Sequence, residues 1–225
     1  MTEPNAELPP IVDADEWQRA LDYQVAREKA HTRLGDALSA RRRRLPMMKV
    51  ETEYRFEGPI GGLTMMDLFA GRRQLIIYHF MFAGEADEGC VGCSWVADAM
   101  THPAHLHARD TSLAVVSRAP RARLEPYRER MGWGFDWYSS AGSMFNVDMG
   151  VTVDGEELHG VSVFLRHDTC IYRTYFSGDR GVEHLGSHWT YLDLTPFGRQ
   201  ETWEDSPPGW PQTEPYWWQK RHDEY

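Results

Sequence analysis

The chain has 225 residues, 41% of them hydrophobic and nine of them tryptophan, so it can bury a substantial core and is too apolar for global disorder. A formal net charge of -10 at pH 7 argues against nucleic acid as a partner, because nonspecific affinity for a phosphate backbone needs a basic surface that releases counterions. No stretch of about 18 apolar residues is present and Met1 to Pro10 shows neither a basic nor an apolar signal region, which predicts a cytoplasmic protein with no membrane partner.

In chain order, Asp13 and Glu16 are spaced as a capping box, and Trp17, Leu21, Val25, Leu34 and Leu38 give an intermittent apolar face, predicting one long helix through Ala40. Such a helix should pack on the body or on a second copy in a homodimer. The basic run Arg41 to Arg44 reads as its solvated end, complementing the helix dipole. Residues 54–56 predict a short strand, Gly58-Pro59 a turn, and Thr64 the cap of a short helix that Gly71 ends. Residues 74–82 are nearly unbroken apolar, the mark of a central strand covered on both faces. After a loop, residues 90–100 predict a helix with Trp95, Val96 and Met100 as its apolar positions.

Residues 112–117 read as a second buried strand, followed by Pro120 and a helix through Arg130. Residues 161–166 and 170–176 flank the polar His167-Asp168-Thr169 and predict an antiparallel hairpin, with a last helix over 181–194. Parallel strands joined by helices, then a hairpin and a helix, predict an α/β three-layer sandwich with a mixed central sheet. We expect a helical extension over 1–45, a folded body over 46–198 and a Trp- and Pro-rich tail over 199–225 that lies across a surface.

Cys90 and Cys93 form a Cys-x-x-Cys pair on the first turn of the predicted helix, right after an apolar strand. Two thiols at that spacing can close a disulfide, and the helix N-terminus favours the thiolate of the first. Cys90 is therefore the candidate attacking thiol and Cys93 the resolving one. Glu85, Asp87 and Glu88 crowd the approach, and their charge is expected to slow Cys90. A rival reading makes the pair a zinc or copper site completed by histidines, with His79 on the preceding strand the first to test and His102, His105 and His107 further off. No metal or other cofactor is expected under the redox reading. A third reading is a non-catalytic interaction module that dimerises through its ends. No Thr-x-x-Cys pocket of the peroxiredoxin kind is present, so a peroxide-reducing variant ranks lower, and Cys170 reads as an inert buried thiol.

Several segments together carry a family likeness: Arg42-Arg-Arg-Leu-Pro46, Phe56-Glu-Gly-Pro59, Gly71-Arg-Arg-Gln-Leu-Ile-Ile-Tyr-His-Phe-Met-Phe82, Gly89-Cys-Val-Gly-Cys-Ser94, Arg130-Met-Gly-Trp133, Asp193-Leu-Thr-Pro-Phe-Gly198 and Arg221-His-Asp-Glu-Tyr225. The chain resembles domain-of-unknown-function family 899 from about Arg41 to the C-terminus. That resemblance implies a thioredoxin-like fold and a dithiol-disulfide oxidoreductase acting on an unidentified disulfide or thiol substrate, with the family's cysteine pair at Cys90 and Cys93. Where thioredoxins place a cis-proline before the strand facing the cysteines, this chain has His159-Gly160.

Overall fold

The computed structural model describes residues 8–225, so most of the Met1 to Pro10 segment lies outside the described residues. Its first element, α1 (Ala14–Arg42), is capped by the Asp13 carboxylate, which accepts the Glu16 backbone N–H at 2.8 Å. The packing expected of its apolar stripe is not found within the chain. None of its residues is buried, and Trp17, Leu34 and Leu38 are exposed. The stripe is broken between Val25 and Leu34, so it offers no continuous face for the body to cover. The end of α1 is tied to the sheet by the Arg42 guanidinium, 4.6 Å from the centre of the Tyr175 ring.

After the short edge strand β1 (Met48–Lys49), β2 (Arg55–Gly58) and β3 (Gly61–Thr64) pair as a hairpin. β3 was not legible, because Gly61 and Gly62 carry no side chain to mark a strand. Thr64 and Asp67 form a reciprocal capping box that opens α2 (Met65–Leu68), and Gly71, at φ +80°, takes the left-handed turn that ends it. The central strand β4 (Gln74–His79) is followed by α3 (Val91–Asp98) and α4 (Pro103–His107). The helix predicted over 90–100 ends at Asp98 with Ala99 as its C-cap, and Pro103 opens α4 separately, with His102 held extended before it.

Then come β5 (Thr111–Ser117), α5 (Arg121–Arg130), the short β6 (Trp137–Ser139), α6 (Phe145–Asp148) and a small hairpin of β7 (Thr152–Val153) with β8 (Glu156–Glu157). β9 (Gly160–His167) and β10 (Cys170–Gly178) form the expected antiparallel hairpin, turned by Asp168 at φ +51°. The last predicted helix is split into a 3-10 segment (Asp179–Leu185) and α7 (Ser187–Asp193). Gly186 stands at the break, where a Cβ would lie 2.2 Å from the Trp189 ring.

The main sheet has the order β1-β10-β9-β4-β5-β6-β2-β3, with β4 parallel to β5 and antiparallel to β9. Strand alternation sends Leu75 and Ile77 of β4 to one face, where α2 and α6 pack around Phe69, Phe145 and Met149. Tyr78 and Val115 point to the other, where α3, α5 and α7 contribute Val96, Leu124, Tyr127 and Trp189. Helices on both faces of a mixed sheet, with a closing hairpin and helix, make the thioredoxin-like three-layer sandwich expected from the sequence. Among the described residues, no helix is long and apolar enough to cross a membrane.

Candidate functional site

β4 runs out into an irregular segment whose Met81 backbone grips both cysteines. The Met81 carbonyl accepts the Cys90 N–H at 3.1 Å, and the Met81 N–H donates to Cys93 Sγ at 3.4 Å. Cys90 is the N-cap of α3 and Cys93 lies one turn inward, as the spacing predicts. Both thiols are free and the two residues stand 3.9 Å apart. Cys90 is half-buried and faces a cavity, whereas Cys93 is 2% exposed within the apolar cluster.

This placement separates the two thiols chemically. A hydrogen bond from the Cys93 thiol, with the backbone N–H groups of Cys93 and Gly92, pulls the Cys90 pKa down to about 6 against the opposing effect of burial, and His159 adds a small favourable charge. Cys93 is pushed well above the ordinary thiol value, by burial first and then by Cys90. The Tyr78 hydroxyl, buried without a well-formed hydrogen bond, borders Cys93 and favours its thiolate slightly.

Two of the three acidic residues expected to slow Cys90 are paired with arginines. Glu88 is held by Arg130 and, at 3.0 Å, by Arg221, while Asp87 lies 3.5 Å from Arg123 and is almost fully exposed. The leading influences on the Cys90 thiol are Cys93, burial, the backbone N–H groups and His159, and none of Glu85, Asp87 and Glu88 is among them. The cations come from α5 and the C-terminal tail, so the local sequence around Cys90 does not show them.

Other groups around the pair were not anticipated. Arg221 Nε donates to the Tyr127 hydroxyl at 2.8 Å, Tyr127 meets Ser94 Oγ at 2.9 Å, and Ser94 donates to the Cys90 carbonyl at 2.9 Å. With Ser94's proton committed to that carbonyl, Tyr127 is the donor to Ser94 and the chain runs one way. Arg221 also donates to the Gly89 carbonyl at 2.9 Å. His159, just before β9, lines the same cavity as Cys90. Its position ahead of the strand facing the cysteines was the available signal.

The histidines of the rival reading are not gathered at the cysteines. His79 is 1% exposed on the opposite face of the sheet, stacked on Phe145 and bonded through Nε2 to Ser162 Oγ at 2.8 Å. The neighbouring Tyr78 is the β4 side chain that reaches Cys93. His102, His105 and His107 belong to α4, a separate helix, and are not buried. Among the described residues, no three His, Cys, Asp or Glu side chains converge as a metal site. Cys170, expected to be buried, is half-exposed on β10.

The C-terminal tail folds back over this region around one buried carboxylate. Glu201, 0% exposed, accepts from Trp203 Nε1 at 2.6 Å, Trp218 Nε1 at 2.8 Å and the Tyr216 backbone N–H at 2.8 Å. Trp95 of α3 donates its indole N–H to the Lys220 carbonyl at 2.6 Å and meets the Trp218 ring edge-on. The tail, α7 and the 3-10 segment thereby wall a mostly apolar cavity of about 590 Å³ that opens on Cys90.

Comparison with curated sequences finds no match. Among solved structures, a PrxQ mutant from Xylella fastidiosa is similar at TM-score 0.44 and 10% identity, covering 61% of this chain and 88% of that one. Peroxidoxin BcpB from Mycobacterium tuberculosis gives TM-score 0.42 and 14% identity over 62% and 95% of the two chains. A putative protein disulfide isomerase from Bacteroides thetaiotaomicron gives TM-score 0.44 and 11% identity over 64% and 87%. One family's sequence model matches residues 6–225, nearly the whole length. The likeness read from the sequence is thereby borne out: the chain belongs to the DUF899 family, described as bacterial protein of unknown function.

Proposed function

We propose that the chain is a thiol-disulfide oxidoreductase in which Cys90 attacks and Cys93 resolves. The observation that carries this reading is the placement of the two thiols, Cys90 half-buried at the N-cap of α3 and facing the cavity, Cys93 buried one turn inward, with the Cys90 pKa lowered to about 6 and that of Cys93 raised. In the first step the Cys90 thiolate attacks one sulfur of a substrate disulfide. A Cys90–substrate bond forms, the substrate S–S bond breaks, and the departing thiolate takes a proton. In the second, Cys93 gives up its proton and attacks Cys90 Sγ, expelling the second substrate thiol. Two electrons pass to the substrate, leaving a Cys90–Cys93 disulfide that an external dithiol reduces.

Closing that bond requires the two cysteines, 3.9 Å apart, to approach until the sulfurs are about 2.0 Å apart, a small movement at the start of α3. A cytoplasmic setting is part of the proposal, because three cysteines with one Cys-x-x-Cys pair do not make a secreted disulfide framework. Reversible oxidation of the pair in thiol buffers, followed by mass spectrometry, tests the reading. The expected result is a two-electron midpoint lost in both Cys90→Ser and Cys93→Ser. A pair that never oxidises, or a preparation in which both thiols are occupied by a metal, would refute it.

A further inference from the structure

The start of β9 brings a second titratable side chain to the cavity beside Cys90. Gly160 pairs with His79 of β4 and with Gly178 of β10, and a Cβ there would lie 2.7 Å from the Phe176 ring and 2.9 Å from the Ser177 carbonyl oxygen. The chain passes that point as glycine, which fixes the backbone of His159 just before it. Strand alternation sets the direction of the side chain. Val161 lies in the apolar cluster on the cysteine face, and His159, two residues earlier, shares that face and lines the cavity with Cys90.

The two ring nitrogens of His159 have different surroundings. Nε2 stands 3.3 Å from the Asp179 carbonyl oxygen, which can only accept, so this bond keeps a proton on Nε2. Nδ1 has no hydrogen-bond partner among the described residues and is not a buried atom, so the proton it gains and loses can pass to a molecule in the cavity. Arg180, the other cation lining the cavity, is held by Glu183 at 3.1 Å, whereas His159 pairs with no carboxylate among the described residues. Cys90, Asp179, Glu183 and Tyr216 are the further ionisable groups that share the cavity with it, beside the buried Cys93. Protonated His159 favours the Cys90 thiolate, so its charge is felt at the reacting sulfur.

Resting on the proposed oxidoreductase reading, we propose that His159 is the acid of the first exchange step, its Nδ1–H protonating the substrate thiolate that leaves when Cys90 attacks. The Cys90–substrate bond forms, the substrate S–S bond breaks with its electron pair on the departing sulfur, and the Nδ1 proton joins that sulfur. Solvent returns a proton to the ring, and Cys93 completes the second step as above. Such an acid matters most when the departing thiolate is strongly basic and least when it is stable without a proton.

The test uses the full-length Cys170→Ser protein and two uncharged disulfides: bis(2-hydroxyethyl) disulfide, whose departing thiolate is strongly basic, and 4,4′-dithiodipyridine, whose departing group is stable as the thiopyridone. Single turnovers are quenched with acid and read by mass spectrometry. Each rate is divided by that of Cys90 alkylation with iodoacetamide, which consumes the same thiolate but expels iodide, so a changed thiolate fraction cancels. His159→Gln should lower the normalised rate with the hydroxyethyl disulfide roughly tenfold or more, and leave that with dithiodipyridine within about twofold. With His159 in place, the normalised rate for the hydroxyethyl disulfide should also fall severalfold between about pH 5 and 8, the range in which histidine side chains lose their proton. No loss in the variant, an equal loss with both disulfides, or a normalised rate that stays flat with pH would overturn the role of His159 while leaving the oxidoreductase reading intact. A protein that exchanges with neither disulfide and never forms the Cys90–Cys93 disulfide would overturn both.

Discussion

At the scale of single residues, the acidity of Cys90 depends first on its partner thiol, and only then on the helix backbone. In a Cys170→Ser background, alkylation of reduced Cys90 by iodoacetamide should rise with pH through an inflection near 6. Removing the main contributor in Cys93→Ala should move that inflection upward. His79 makes the opposite kind of contribution. Burial first, and then the nearby Arg173 charge, lower its pKa from 6.5 to about 3. Because the unfolded chain binds the proton at the ordinary value and the folded chain does not, stability is retained above pH 6.5 and falls as the pH drops toward 3, by at most about 1.4 kcal/mol per pH unit from this residue. Urea midpoints of wild type and His79→Gln between pH 7 and 4 should diverge accordingly, with the variant losing less on acidification.

At the scale of elements, α3 is delivered to its place by a glycine. Gly89 is buried, and a Cβ there would lie 2.6 Å from the Phe80 ring and 3.2 Å from Tyr127. Gly89→Ala should therefore cost about 1 to 3 kcal/mol of unfolding free energy through overpacking, and by shifting the Cys90 backbone it should also slow alkylation. α1 is the contrary case, a helix of 29 residues with none buried. Replacing Trp17, Leu34 and Leu38 together by Ala should change the thermal midpoint by less than about 2 °C. A loss that depends on protein concentration would instead assign the helix to a subunit interface.

At the scale of the whole molecule, the tail and the reactive pair form one structure although 131 positions separate Cys90 from Arg221. Arg221 reaches Tyr127 and Gly89, and Glu201 gathers the indoles and the Tyr216 backbone that hold the cavity wall. Glu201→Ala leaves those three donors without an acceptor, and unmet buried donors cost about 1 to 3 kcal/mol each before relaxation. The expected outcome is a red-shifted tryptophan emission and a net loss of about 2 to 4 kcal/mol in urea unfolding.

Local pattern alone placed the central strand, the helix that begins at the cysteines, and the hairpin with Asp168 in its turn. Each of these is set by apolar periodicity or turn chemistry within a few residues. The parity of β4 also separates Tyr78 from His79, yet periodicity does not say which face meets the returning helix, so the wrong neighbour was matched to the cysteines. Only the tertiary structure decided that Arg123, Arg130 and Arg221 neutralise the acids before Cys90, and that Glu201 folds the tail over the cavity. Those contacts join residues far apart in the chain through charge and hydrogen bonding, which leave no periodic trace in the sequence.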